Sequence, residues 1–161
     1  MPITACFSDL DGELASTRRM LAPYPDAKGE WRPHAKSRTL SQLANHVAGI
    51  PDLGARILTT DGLDFATRGP QPSVETAAEL VARFDEAARK MMAAFASTSD
   101  EVFNGEWTLR HGEHVVLKGR RRDLFRQLML SHLIHHRAQL GDCYRLLDLP
   151  VPGMYGPTAD G

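Results

Sequence analysis

Three histidines in this sequence stand where imidazole nitrogens can do metal chemistry. His132 and His136 are four residues apart within a segment of strong helical periodicity. At that spacing two side chains lie one turn apart on the same helix face. Two imidazoles so placed can converge on one divalent ion, each at about 2.0–2.1 Å. A third ligand has to come from elsewhere in the chain. His46 is the best candidate, because it lies on an apolar stripe between Leu43 and Ile50, where a ring needs a polar partner. An ordinary hydrogen bond meets that need as well as an ion does, and a lone HxxxH pair is weak evidence taken alone. His135 points about 100° away from His136 on ideal helix geometry, so it cannot share an ion with both neighbours. His34, His111 and His114 fall in loops or at a hairpin tip and read as solvated.

Three neutral imidazoles leave coordination positions for water or substrate, the layout of a catalytic ion. Structural zinc is usually closed by four protein ligands. No Glu follows His132, so the HExxH arrangement of the zinc proteases is absent. GxSxG, P-loop and GxGxxG patterns are absent too. Gln139 is placed either to orient a ligand or water or to hydrogen-bond across the fold. Arg137 reads as a helix-surface or dimer salt bridge, with a substrate anion as the alternative. Cys143 reads as a small core residue rather than a nucleophile. Trp31 and Tyr155 either line a pocket near the ion or pack in the core.

Four helical segments must position these groups. The first is expected from about Phe7 to Leu21, with Leu10, Leu14, Thr17 and Leu21 on one side, closed by Pro23 and Pro25. Thr39, with Gln42 three residues on, has the capping-box pattern and starts the second. Its stripe is Leu40, Leu43, His46, Val47, Ile50, Leu53 and Ile57. Pro51 lies inside it and is expected to kink or divide it. After a Gly/Pro-rich connection over residues 61–72, Ser73 is expected to cap a third helix running to about Phe95. A short polar stretch, Ser97 to Asp100, follows. Trp107–Arg110 and Val115–Leu117 read as a β-hairpin that must pack on the helices, since an isolated hairpin is weak. The last helix is expected from about Arg122 to Asp148, with Phe125, Met129, His132, His136, Gln139 and Cys143 on one stripe. It is apolar on its other faces as well, which suggests a subunit contact in addition to the core. The tail from Pro150 onward reads as extended.

The chain has 161 residues, the size of one domain, with 42% hydrophobic and 24% charged residues. That is a globular composition able to bury a core without disulfide staples. A net charge of −1 gives no reason to expect nucleic acid or an anionic membrane as partner. The one basic run, Lys118 to Arg122, reads as a solvated patch. Cys6 and Cys143 match no disulfide framework or thiolate zinc motif, and reduced thiols fit a cytoplasmic protein. Met1 to Ala15 carries Asp9, Asp11 and Glu13 and does not read as a signal peptide. No apolar run approaches the roughly 20 residues of a membrane span.

The stretch Ser131-His132-Leu133-Ile134-His135-His136-Arg137-Ala138-Gln139-Leu140, followed by Pro150-Val151-Pro152-Gly153-Met154-Tyr155-Gly156-Pro157, resembles the end of DinB-family proteins. These are a superfamily of candidate metalloenzymes, not the DNA polymerase that shares the name. Trp31-Arg32-Pro33-His34 with Leu43-Ala44-Asn45-His46-Val47-Ala48 resembles the family's first block, so the likeness covers nearly the whole chain. It implies an all-α fold, an antiparallel four-helix bundle, commonly a homodimer, with a three-histidine site for zinc or nickel. Carried over, the ligands fall on His46, His132 and His136. Ser131 departs from the Asn frequent in relatives. Members of the wider superfamily use such a site for thiol chemistry, as bacillithiol S-transferases and mycothiol-dependent isomerases. The resemblance therefore implies a metal-dependent S-transferase or hydrolase that activates a low-molecular-weight thiol, or water, for attack on a small electrophile. The alternative is a non-catalytic metal-binding bundle with a structural or stress-response binding role.

Overall fold

The computed structural model describes residues 3–69 and 73–160. Residues 70–72, the end of the expected Gly/Pro-rich connection, lie outside it, as do Met1, Pro2 and Gly161. The described chain is mostly helical with one small sheet. A 3-10 turn, Ile3–Phe7, leads into α1, Leu10–Leu21. The long helices α2, Leu40–Thr59, and α3, Ala77–Ser97, follow. A short helix α4, Asp100–Asn104, comes before the strands. The final helix is one continuous run: α5, Arg121–Phe125, a π-helical stretch, Arg126–Ser131, and α6, His132–Leu146.

Local chemistry explains the helix starts. Thr39 and Gln42 form the expected reciprocal cap: the Gln42 amide donates to Thr39 Oγ1 at 3.1 Å, and the Thr39 amide to Gln42 Oε1 at 3.0 Å. The third helix begins three residues later than expected. Its cap is Thr76, not Ser73, because Thr76 and Glu79 make the same reciprocal pair. Val74 thus precedes the helix, and its backbone N–H and C=O are both held by the Asn45 side chain. Pro51 does not divide α2, which runs on through it. The last helix ends at Leu146, two residues short of the expected Asp148, whose φ of 57° stops it.

The strands differ from a lone hairpin. β2, Glu106–His111, and β3, His114–Arg120, pair antiparallel as expected, but β1, Gly62–Asp64, pairs parallel to β2 and makes a mixed three-stranded sheet. Trp107 and Leu109 turn its inner face onto the helices and are buried. Arg121 ties the sheet to α2. Its guanidinium donates to the carbonyls of Ile57, at 2.7 Å, and Thr60, and its Nε donates to Val102 O. A cation there answers the unpaired carbonyls at the C-terminus of α2. Arg121 is 6% exposed, so the basic run is not wholly a solvated patch: its fourth residue is a buried cap.

Two clusters hold the helices. At one end Phe7, Phe95, Phe103 and Phe125 interlock, with Phe7 edge-on to Phe125 at 5.2 Å between ring centres. In the middle Met91 and Met129 press on Gly54, where a Cβ would sit 2.6 Å from Met129 Cγ. Only a glycine lets α2 approach the π-helical stretch so closely. Toward α1, Arg137 is 2% exposed and pairs with Glu13 at 2.7 Å. It donates also to Glu13 O and Thr17 Oγ1. The expected surface or dimer salt bridge is therefore an internal one.

Candidate metal centre

His46 projects from the second turn of α2, and His132 and His136 from successive turns of α6. The helices bring all three rings together. Ring centres are 4.9 Å apart for His46 and His132, 4.5 Å for His46 and His136, and 4.6 Å for His132 and His136. One nitrogen from each lies within 4.8 Å of the other two. All three are half-buried. The π-helical stretch ends directly before His132. Such a bulge changes how many residues complete a turn, so it resets the direction in which the following side chains point.

Hydrogen bonds fix which nitrogen faces the centre. His132 Nδ1 lies 3.1 Å from Leu128 O, a pure acceptor, so Nδ1 carries the proton and Nε2 has a lone pair. His136 Nδ1 donates to Gln139 Oε1 at 2.7 Å, with the same consequence. His46 Nε2 and His132 Nε2 then face each other at 3.1 Å. Nitrogens bound to a shared ion at about 2.0–2.1 Å stand about 2.9 Å apart at a right angle and about 3.4 Å apart at the tetrahedral angle. The observed separation falls between these values. Carbonyl and amide partners on the far nitrogen are what metal-ligating histidines normally have. The donor set therefore fits a divalent ion.

The electrostatics agree. Burial pushes the imidazole of His46 down to about 3, helped by the Arg38 charge and by His136 and His132. Burial also lowers His132 and His136, partly offset by their hydrogen bonds to Leu128 and Gln139. All three are neutral near pH 7, the form that binds metal. Among the described residues no Cys, Asp or Glu joins them as a fourth ligand. His135 is exposed and outside the cluster, and His34, His111 and His114 are exposed, as expected.

Two clefts open on the centre and share Arg38. One, of about 290 Å³, is lined by His46 and His132 with Asn45, Arg68 and Arg83. The other, of about 420 Å³, is lined by His136, Gln139, Asp142, Cys143 and Leu146. Gln139 orients His136 within its own helix rather than bonding across the fold. Cys143 is buried and unbridged, and burial raises its thiol, which keeps it protonated. Trp31 and Tyr155 line neither cleft. Trp31 packs on the core, and the Tyr155 hydroxyl bridges Glu13 and Arg137. The roles of Arg38, Arg68 and Arg83 had no signal in the sequence, since they come from three separate segments.

The sequence pattern that defines the DinB superfamily matches residues 9–140, a span that includes all three histidines. The chain belongs to the DinB superfamily. Its fold is shared with crystal structures of two DinB-like proteins. One, from Bacillus subtilis, superimposes with a TM-score of 0.68 at 16% identity, over 91% of this chain and 94% of the other. The other, from Bacillus cereus, gives 0.69 at 17%, over 92% and 95%. At such identities the likeness is one of fold. No curated protein matches the sequence. No helix of this DinB chain, among the described residues, is long and apolar enough to cross a membrane.

Proposed function

We propose that this DinB-superfamily chain is a metal-dependent enzyme that acts on a small molecule at a three-histidine centre. The observation that carries this reading is the convergence of three neutral imidazoles, two of them with Nδ1 already donating, at the meeting point of two clefts. A divalent ion held there, zinc or nickel, supplies Lewis acidity and lowers the pKa of a bound thiol or water. The chain's own part is to present three neutral donors and leave the remaining positions to substrate. Leu128 O and Gln139 keep His132 and His136 in the ligating tautomer.

The chemistry we infer is S-transfer: a low-molecular-weight thiol loses its proton to solvent, and its sulfur bonds to an electrophilic carbon as the leaving group departs. Hydrolysis, with water in place of the thiol, is the variant of the same site. The long helices α1, α2, α3 and α5–α6 are read as the antiparallel four-helix bundle of the family, paired as a homodimer through apolar positions such as the exposed Leu146. A cytoplasmic setting suits the free Cys6 and Cys143. The non-catalytic alternative needs a closed site, and the two clefts at the histidines argue for an open one.

The thiol reading is tested by titrating metal-loaded protein with bacillithiol, mycothiol and glutathione. One of the three is expected to bind in the wild type and not in His136→Ala. Failure of all three removes thiol transfer and leaves hydrolysis.

A further inference from the structure

The cleft beside His46 and His132 has an uncommon charge. Three arginines, Arg38, Arg68 and Arg83, line it, and no carboxylate does among the described residues. The three come from the loop before α2, the segment after β1, and α3. Like charges do not gather in one cleft without cost. Burial lowers the Arg68 guanidinium, and the Arg56 and Arg83 charges add to this against the opposing charge of Asp52. The Arg68 Nε is buried and has no acceptor, although buried donors are normally paired.

Other features aim the array at the cleft. Asn45, next to His46, accepts from Arg83 Nη1 at 2.9 Å and holds both backbone groups of Val74. Gly49 lies under the same guanidinium, where a Cβ would stand 2.9 Å from Arg83 Nη2. A glycine one turn along from Asn45 therefore gives Arg83 its course across α2.

We propose that this cleft binds the anionic end of the substrate, a carboxylate or phosphate group seated on Arg68 and Arg83 with Arg38 at the rim. The rest of the molecule is then presented to the three histidines. Planar guanidinium forks match the oxygens of both groups. The substrate class is thus a small organic oxyanion. This deepens the proposed metal-dependent reading and rests on it for the reactive end only, since the arginines do not need the ion to hold an anion.

The test is calorimetric titration of succinate and of inorganic phosphate, at low and high chloride, into metal-loaded and metal-free protein. The proteins are wild type, Arg68→Gln and Gly49→Ala, with metal content measured for each. Wild type is expected to bind at least one probe, more weakly at high chloride. Arg68→Gln should weaken binding about tenfold or more, the scale of one charge-assisted bond. Gly49→Ala keeps every charge and displaces a flexible guanidinium tip, so it should weaken binding while the fold and the metal content stay unchanged. A preference for succinate identifies a carboxylate substrate, and the reverse a phosphate. No binding of either probe to wild type, or equal binding by all three proteins, would overturn the proposal. If wild type takes up no metal, the enzyme reading fails, and the metal-free titrations still decide the anion site.

Discussion

His46 Nε2 and His132 Nε2 face each other across 3.1 Å with no proton available from His132 to share. A lone pair pointed at a neighbouring ring nitrogen is favourable only when a proton or a cation lies between the two. Burial holds the His46 imidazole at about 3, so near pH 7 the ring carries a single proton: either Nε2 donates it to His132 Nε2, or Nδ1 keeps it and both lone pairs face a cation. The second arrangement is the one a bound divalent ion selects.

The same groups set a pH dependence. The folded pKa of His46, about 3, lies below its ordinary 6.5, and those of His132 and His136 are lowered too. The unfolded chain therefore binds more protons than the folded one in this window. Stability is at its full value above pH 6.5 and falls as pH drops from 6.5 toward the folded values. Thermal melts of chelator-treated protein at pH 7.5 and 5 should show a lower Tm at 5, and His46→Ala should flatten the difference. A Tm that rises on acidification contradicts the buried neutral cluster.

Gln139 is expected to act through His136. Removing its carbonyl frees the His136 ring to rotate and to change tautomer. Loss of such a partner typically costs 10- to 100-fold in metal affinity. Competition with a chromogenic chelator should show about a tenfold loss for Gln139→Ala, with an unchanged far-UV spectrum. Unchanged affinity means that the 2.7 Å contact does not support the site.

The buried Arg137–Glu13 pair joins the helix of His132 and His136 to α1, and the Tyr155 hydroxyl closes it at 2.8 and 2.9 Å from the carboxylate. Breaking a buried pair leaves an uncompensated charge, at a cost of about 3–5 kcal/mol. Denaturant unfolding of Arg137→Met is expected to show a loss on that scale. Replacing both partners by apolar residues of similar volume should recover much of it. A loss below about 1 kcal/mol in the single variant would make the pair incidental.

Arg121 should be as important at the opposite end. Its substitution by Met leaves the carbonyls of Ile57 and Thr60 without their cation. Hydrogen bonds to charged groups contribute about 1.5–3 kcal/mol each. A fall of about 3 kcal/mol in unfolding free energy is expected, with faster hydrogen exchange at the C-terminal turn of α2. Exchange unchanged there would show that the turn does not depend on the cap.

The helices and the pairing of His132 with His136 were legible because they rest on local rules. A 3–4 period marks α2 and α6, the Thr39–Gln42 box marks a start, and four-residue spacing puts His132 and His136 on one face. What was not legible is long-range. The three residues of β1 carry no period and exist through pairing with β2. The π-helical stretch has no sequence marker, and it comes with the close packing of Met129 on Gly54. Thr76 took the cap from Ser73 because Glu79 reciprocates. The charges of Arg121 and Arg137 suggested solvent, and only tertiary partners explain their burial. The arginine cleft joins segments 30 and 45 residues apart.

The central claim is that one divalent ion sits between His46, His132 and His136. The direct measurement is elemental analysis of protein purified without a histidine tag and dialysed after zinc or nickel is supplied, alongside His46→Ala and His132→Ala. About one equivalent per chain is expected in the wild type and far less in either variant. No stoichiometric metal in the wild type, or equal content in all three, would contradict the account.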